Sequence, residues 1–314
     1  MLREWQDLIR LTLDKDSNVR RSAANALGYA FFQVPDKAQA QQDLHRLTQA
    51  EDIDMRRSAA IALGKAFSLV PDKVQAQQDL HRLTKDKVAN LRRNAANVLG
   101  EAFSLVPDKA QAQQDLHRLT KDKDSGLFNV RMSAADALGE AFSLVPDNVQ
   151  AQQDLHRLTF SGSGVRMRAA RALGEAFSLV PDKVQAQQDL HRLTQDKNSG
   201  VKWSATNALG DAFFQVPDKA QAQQDLQRLT QDKKSDVRMG ATDVLGKAFS
   251  QVPDKAQAQQ ALHKLTQDVD IDVRKSATDA LGQAFSLVPD KVQAQQDLHR
   301  LTQDEDIRTS VSSR

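Results

Sequence analysis

The 314-residue sequence predicts an all-α fold, a right-handed α-solenoid of about eight antiparallel helix pairs, on three observations. One stretch, VRRSAANALGYAFFQVPDKAQAQQDLHRLT at 19–48, recurs along the chain, and its proline returns at Pro35, Pro71, Pro107, Pro146, Pro181, Pro217, Pro253 and Pro289. These prolines stand 36 residues apart in most steps, 39 once and 35 once; a fixed period of that size marks an array of stacked modules. Inside each module, apolar residues recur at three- and four-residue intervals, the stripe of an α-helix. The length fits as well. A single core rarely exceeds roughly 250–300 residues, whereas an array buries each repeat only against its neighbours.

Residues 1–17 hold an unpaired opening helix of the second type, helix A, and a loop. LREWQDLIRLT at 2–12 matches QAQQDLHRLT, with Trp5 where Gln41 stands and Ile9 where His45 stands. Helix B follows over 19–34, its stripe formed by Val19, Ala23, Ala26, Leu27, Ala30, Phe31 and Val34. The residues before each stripe are Asn18, Asp54, Asn90, Asn129, Gly164, Gly200, Asp236 and Asp272, all types suited to an N-cap. Proline then ends helix B, because it drives the preceding residue out of the α region. Next comes helix A, opened by Asp36 with Gln39 three residues later, a capping-box pattern kept in all eight copies. Ala40, Leu44 and Leu47 give this helix a narrow apolar edge. Glycine inside every helix B, Gly28 through Gly282, costs about 1 kcal/mol against alanine; close approach of a neighbouring helix is the expected reason.

The whole of 1–314 is expected to form one array, with repeats over 18–303 and an incomplete ninth helix B over 304–314. That last segment, IRTSVSSR at 307–314, stops before the Leu-Gly and Phe positions. Leu298, Leu301 and the stripe of the eighth repeat are therefore expected to lack cover. The chain would then continue into a longer protein, or self-associate through its ends.

The segments DIDMRRSAAIALG at 52–64 and DIDVRKSATDALG at 270–282 carry the pattern D-x-D-x-x-V-R-x-x-A-x-x-A-L-G. This pattern resembles the HEAT repeat, more narrowly the short prokaryotic HEAT-like units first noted in phycobilisome lyases. The resemblance covers essentially the whole chain. It implies a binding scaffold with B helices on the concave face, A helices on the convex face, and a ladder between loop acids and helix B arginines. FSGSG before Val165 lacks the acid and Lys202 replaces an arginine, so the ladder is expected to fail in those repeats.

Net charge is only +2, with 27% charged residues, which excludes a polybasic or polyacidic protein overall. The absence of cysteine removes disulfides and thiolate metal sites. No stretch has the apolar length of a membrane span, and a cytoplasmic protein without membrane contact is expected. Seven histidines share one position of helix A. Ligands of one metal must converge at about 2 Å from it, so histidines a repeat apart read as a solvated ladder on the convex side. Neither a metal, a cofactor nor an enzymatic activity is expected, because like groups spread along a line do not form an active site.

Variation among the near-copied repeats gathers at the third, seventh and eleventh positions of helix B, opposite the stripe. There, Met132, Met167, Trp203 and Met239 replace charged residues of the outer repeats. Asp136, Glu140, Arg171, Glu175, Asn207, Asp211 and Asp243 accompany them, and the altered loops add Phe128 and Phe160. Methionine adapts its shape and tryptophan is a frequent hot-spot residue, so this face in repeats four to seven is the expected site for a protein or peptide. The alternative is nucleic acid, bound through Arg21, Arg57 and Arg93 of the first three repeats, since phosphate contacts dominate such affinity.

Overall fold

A computed structural model describes residues 2–302 except 125, 127 and 128, and every regular element among the described residues is an α-helix. The chain divides into two compact bodies, Met1–Leu158 and Thr159–Arg314. The first contains α1 (Leu2–Leu11), α2 (Ser17–Ala30), α3 (Lys37–Leu47), α4 (Ile53–Ala66), α5 (Lys73–Leu83), α6 (Ala89–Glu101), α7 (Lys109–Leu119), α8 (Val130–Ala141) and α9 (Asn148–Leu158). The second contains α10 (Ser163–Glu175), α11 (Lys183–Leu193), α12 (Ser199–Ala212), α13 (Lys219–Leu229), α14 (Ser235–Ala248), α15 (Lys255–Leu265), α16 (Ile271–Ala284) and α17 (Lys291–Thr302). Odd-numbered helices are A helices and even-numbered ones are B helices, the all-α solenoid expected. Within each body, B helices pack side by side along their length, while successive A helices touch each other less.

The periodic apolar residues make the core. Phe31, Phe67, Phe103 and Phe142 are fully buried in the first body, as are Phe177, Phe213 and Phe249 in the second. Phe285 is only half-buried. Leu298 is likewise half-buried, but Leu301 is covered, contrary to expectation, at 2% exposure. Its helix, α17, packs against α15 and α16. Residues 303–314, including the segment read as a ninth helix B, lie outside the described residues. At the other end, Trp5 turns inward. It meets Phe31 edge-on at 6.0 Å and its indole N–H donates to Asp43 at 3.2 Å.

Helix ends depart from the sequence reading. Asp16, Asp52, Asn198 and Asp270, rather than Asn18, Asp54, Gly200 and Asp272, cap their B helices. An oxygen three residues before the stripe reaches into the first turn, as when Asp52 accepts from the Met55 N–H at 2.9 Å. Val88, Gly162 and Lys234 hold the same position, in place of Asn90, Gly164 and Asp236, without a side-chain cap bond. Asn129 does stand at a cap position, yet its side chain makes no cap bond. Most B helices end five residues before their proline, so Val34 lies beyond α2, though buried. A tightened turn ends them first, as in the 2.8 Å bond from the Leu69 N–H to the Ala66 carbonyl.

Glycine permits the B-helix packing. A Cβ on Gly174 would lie 2.6 Å from the Ala208 Cα, and one on Gly246 would lie 2.8 Å from the Ala280 Cα. Three polar ladders then tie repeat to repeat. In the first, the Gln77 side-chain N–H donates to the Asp108 carbonyl at 2.6 Å and its Oε1 accepts from the Asp108 N–H at 2.9 Å. Gln41, Gln113, Gln187, Gln223 and Gln259 repeat this clamp. It replaces half of the expected capping box. Asp108 accepts from the Gln111 N–H at 2.9 Å, but its own N–H is taken by the preceding helix.

In the second ladder, loop aspartates bind helix B cations of the preceding repeat. Arg56 meets Asp86 at 2.9 Å, Arg92 meets Asp122 at 2.6 Å, and Arg166 and Arg238 meet Asp196 and Asp268 at 2.7 Å. Lys202 keeps the rung through Asp232 at 2.5 Å, so lysine serves where failure was expected. Where FSGSG supplies no acid, the Arg131 Nε is buried with no partner among the described residues.

The third ladder overturns the reading of the histidines as solvated. His45, His81, His117, His191 and His263 are half-buried, and each donates from Nδ1 to an aspartate of the next A helix, with a shortest contact of 2.8 Å. A carboxylate can only accept, so Nδ1 must carry the proton. The aspartates Asp79, Asp115, Asp154, Asp225 and Asp297 are buried. An arginine three residues on completes the rung. Arg118, for instance, donates to Asp115 at 2.7 Å and also to Thr84 of the preceding helix.

Candidate partner-binding face

The second body carries most of the expected face, on α10, α12 and α14. Trp203, Asn207 and Asp211 follow one another at four-residue steps along α12, one line on a helix surface. Trp203 stays 43% exposed, although its ring is seated. A Cβ on Gly240 of α14 would come within 3.3 Å of the ring, at a position where other repeats carry Ser, Asn or Arg. Met167 is half-buried against Gly200 of α12, where a Cβ would meet its Sδ and Cε at 3.3 Å. Met239 is half-buried, and its carbonyl accepts from Ser276 at 3.3 Å.

The charged members are unevenly engaged. Arg171 and Glu175 approach to 3.6 Å on the exposed side of α10, and Asp243 accepts from the Ser276 hydroxyl. Burial pushes the Asp211 carboxyl above its usual value, with the Lys247 ammonium opposing. The residue as a whole stays exposed, so the crowding is local to its carboxyl group.

In the first body, Met132 and Asp136 are half-buried and Glu140 is exposed, all on α8. Phe128 lies outside the described residues. Phe160 is 62% exposed, but its ring lies under the Arg192 guanidinium of α11 at 3.8 Å, which joins it to the A layer. Of the alternative arginines, Arg57 is bound to Asp54 at 2.6 Å, Arg21 donates to Asn18, and Arg93 is half-buried. Beside them, Arg56 and Arg92 are held in the loop ladder, and Arg20 donates to Asp54 in the first turn of α4.

No helix among the described residues is long and apolar enough to cross a membrane. Nor do the described residues bring together three or more His, Asp or Glu able to hold a metal ion.

Stacked helix pairs, bound through polar ladders and carrying their variable residues on the B helices, define an α-solenoid. The family model for HEAT repeats matches residues 6–100 and 155–246, more than half of the chain, and the chain belongs to that family. Similar solved structures include Kap95p with RanGDP, with a TM-score of 0.70 and 17% identity over 96% of this chain and 44% of that one. Yeast importin-beta, Kap95p, gives 0.67 and 18% over 95% and 42%. Kap121p bound to Pho4p gives 0.57 and 17% over 97% and 36%. The chain thus spans less than half the length of these proteins. No curated protein matches it.

Proposed function

We propose that the chain is a non-enzymatic cytoplasmic scaffold that grips a protein or peptide on its B-helix face, without a cofactor. Trp203 carries the reading. A large aromatic left 43% exposed, yet fixed by its seat over Gly240, has little freedom left to lose on binding. Met167 and Met239 on the flanking helices extend its apolar surface. Met132, Asp136 and Glu140 are assigned the same role by their place in the repeat. The solenoids of similar fold include Kap121p bound to Pho4p, which supports a protein as the class of partner.

Affinity capture with the immobilised chain tests this. Truncating a hot-spot aromatic costs about 2 kcal/mol or more, so Trp203→Ala should weaken capture of the partner at least about tenfold. High salt and nuclease should leave capture largely intact, because counterion release dominates only nucleic-acid binding. Capture that survives Trp203→Ala, or that nuclease abolishes, would contradict the reading.

A further inference from the structure

Between α13 and α15 the buried-aspartate ladder loses its acid along with its histidine and arginine. Gln227 stands where histidine donates, Ala261 where the carboxylate sits, and Lys264 where arginine completes the rung. The rungs on both sides are intact, with His191 bound to Asp225 and His263 bound to Asp297, each at 2.8 Å. Three positions that form one network have therefore changed together at one place.

What remains is a set of donors around a missing acceptor. Gln227 Nε2 is buried with no partner among the described residues. Buried donors are nearly always satisfied, so this one calls for an explanation. In neighbouring rungs the glutamine four residues before the aspartate donates to it, as Gln293 does to Asp297 at 3.2 Å. Gln257 is its counterpart here and faces Ala261. The arginine also bridges to a threonine, as Arg228 does to Thr194 at 2.6 Å; the equivalents are Lys264 and Thr230. The vacated place is a cleft of about 200 Å³ lined by Gln227, Thr230, Gln257, Ala261 and Lys264, with Gln231, Gln260, Leu265 and Asp268 around them. Asp268 is the one acid in the lining, and Arg238 holds it at 2.7 Å.

We infer that this cleft binds the carboxylate group of a ligand, seated where the other rungs hold the side chain of an aspartate. The intact rungs show the chemistry directly: a carboxylate held by a donor from the preceding helix, an amide one turn back and a cation three residues on. Here two amide donors and an ammonium replace that set, and the carboxylate comes from outside the chain. A small carboxylic acid and the C-terminus of a peptide present the same group.

Acetate and a short acetylated peptide with a free C-terminus serve as probes, with the peptide's C-terminal amide as control. Acetate should raise Tm saturably, beyond the effect of chloride at equal ionic strength, as expected when a ligand binds only the folded state. The free-acid peptide should bind at least about tenfold more tightly than the amide, because charge-assisted bonds are lost with the charge. Tighter binding of the peptide than of acetate assigns the cleft to chain ends, and the reverse assigns it to small acids. Ala261→Asp restores the residue found in neighbouring repeats and should raise Tm while erasing the acetate response. Lys264→Gln should weaken acetate binding. A Tm indifferent to acetate, an amide that binds as well as the acid, or an Ala261→Asp protein that keeps the response would overturn the proposal.

Discussion

Gly174 and Gly282 occupy the same position of helix B but meet different surroundings. A Cβ on Gly174 would lie 2.6 Å from the Ala208 Cα, whereas no atom of the described residues lies within 4 Å of one on Gly282. Gly174→Ala should therefore destabilise the protein by about 1–3 kcal/mol through overpacking. Gly282→Ala should be neutral or stabilising by up to about 1 kcal/mol, since alanine is the better helix former. Chemical denaturation of both variants checks the contrast, and equal effects would show that helix propensity, not close approach, governs these sites. The packing role of the glycines was legible in the sequence because the cost recurs at one helical position. The seat of Trp203 was not, since it depends on Gly240 lying beneath the ring across a helix pair. Only a comparison of the fourth position of each helix B, where Gly240 replaces Ser, Asn or Arg, could have signalled it.

At the scale of the element, the ladders decide how one helix pair holds the next. Asp232 is typical of the loop rungs. Burial would raise its carboxyl, but the Lys202 ammonium and the Lys234 N–H bonded to it hold it below its usual value. Asp196 behaves alike beside Arg166, and in Asp54 the bond from Arg20 is the leading cause. A depressed folded-state value means the unfolded chain takes up the proton first on acidification. The stabilisation is thus full above the unfolded aspartate value of about 3.9 and is lost as pH falls through the lower folded values. Tm should drop below about pH 4, and Asp232→Asn should lower Tm at neutral pH while shrinking that acid-induced drop. An unchanged acid profile in this variant would remove the rung from the account. The loop ladder was legible through its family pattern, although the tolerance for lysine was not. The buried His–Asp rungs were missed because a polar side chain on helix A looks solvated until its partner one repeat on, 34 or 37 residues away, is considered. The paired loss at Gln227 and Ala261 was the available signal, a change at both ends of one bond.

For the whole molecule, periodicity made the fold class and helix order readable before any coordinates, because each repeat reuses one solution to burying an apolar stripe. The partner is another matter. In the proposed function recognition is assigned to the few residues that depart from the repeat, and a departure names a place more readily than a ligand. The central claim is that the B face, through α10, α12 and α14, is where a protein or peptide is held. Photo-crosslinking tests it most directly, with a benzophenone side chain introduced at Asn207 on α12 or at Gln188, which is exposed on α11. The account predicts partner adducts from position 207 and none from position 188. Adducts from 188 alone, or equally from both, would contradict it.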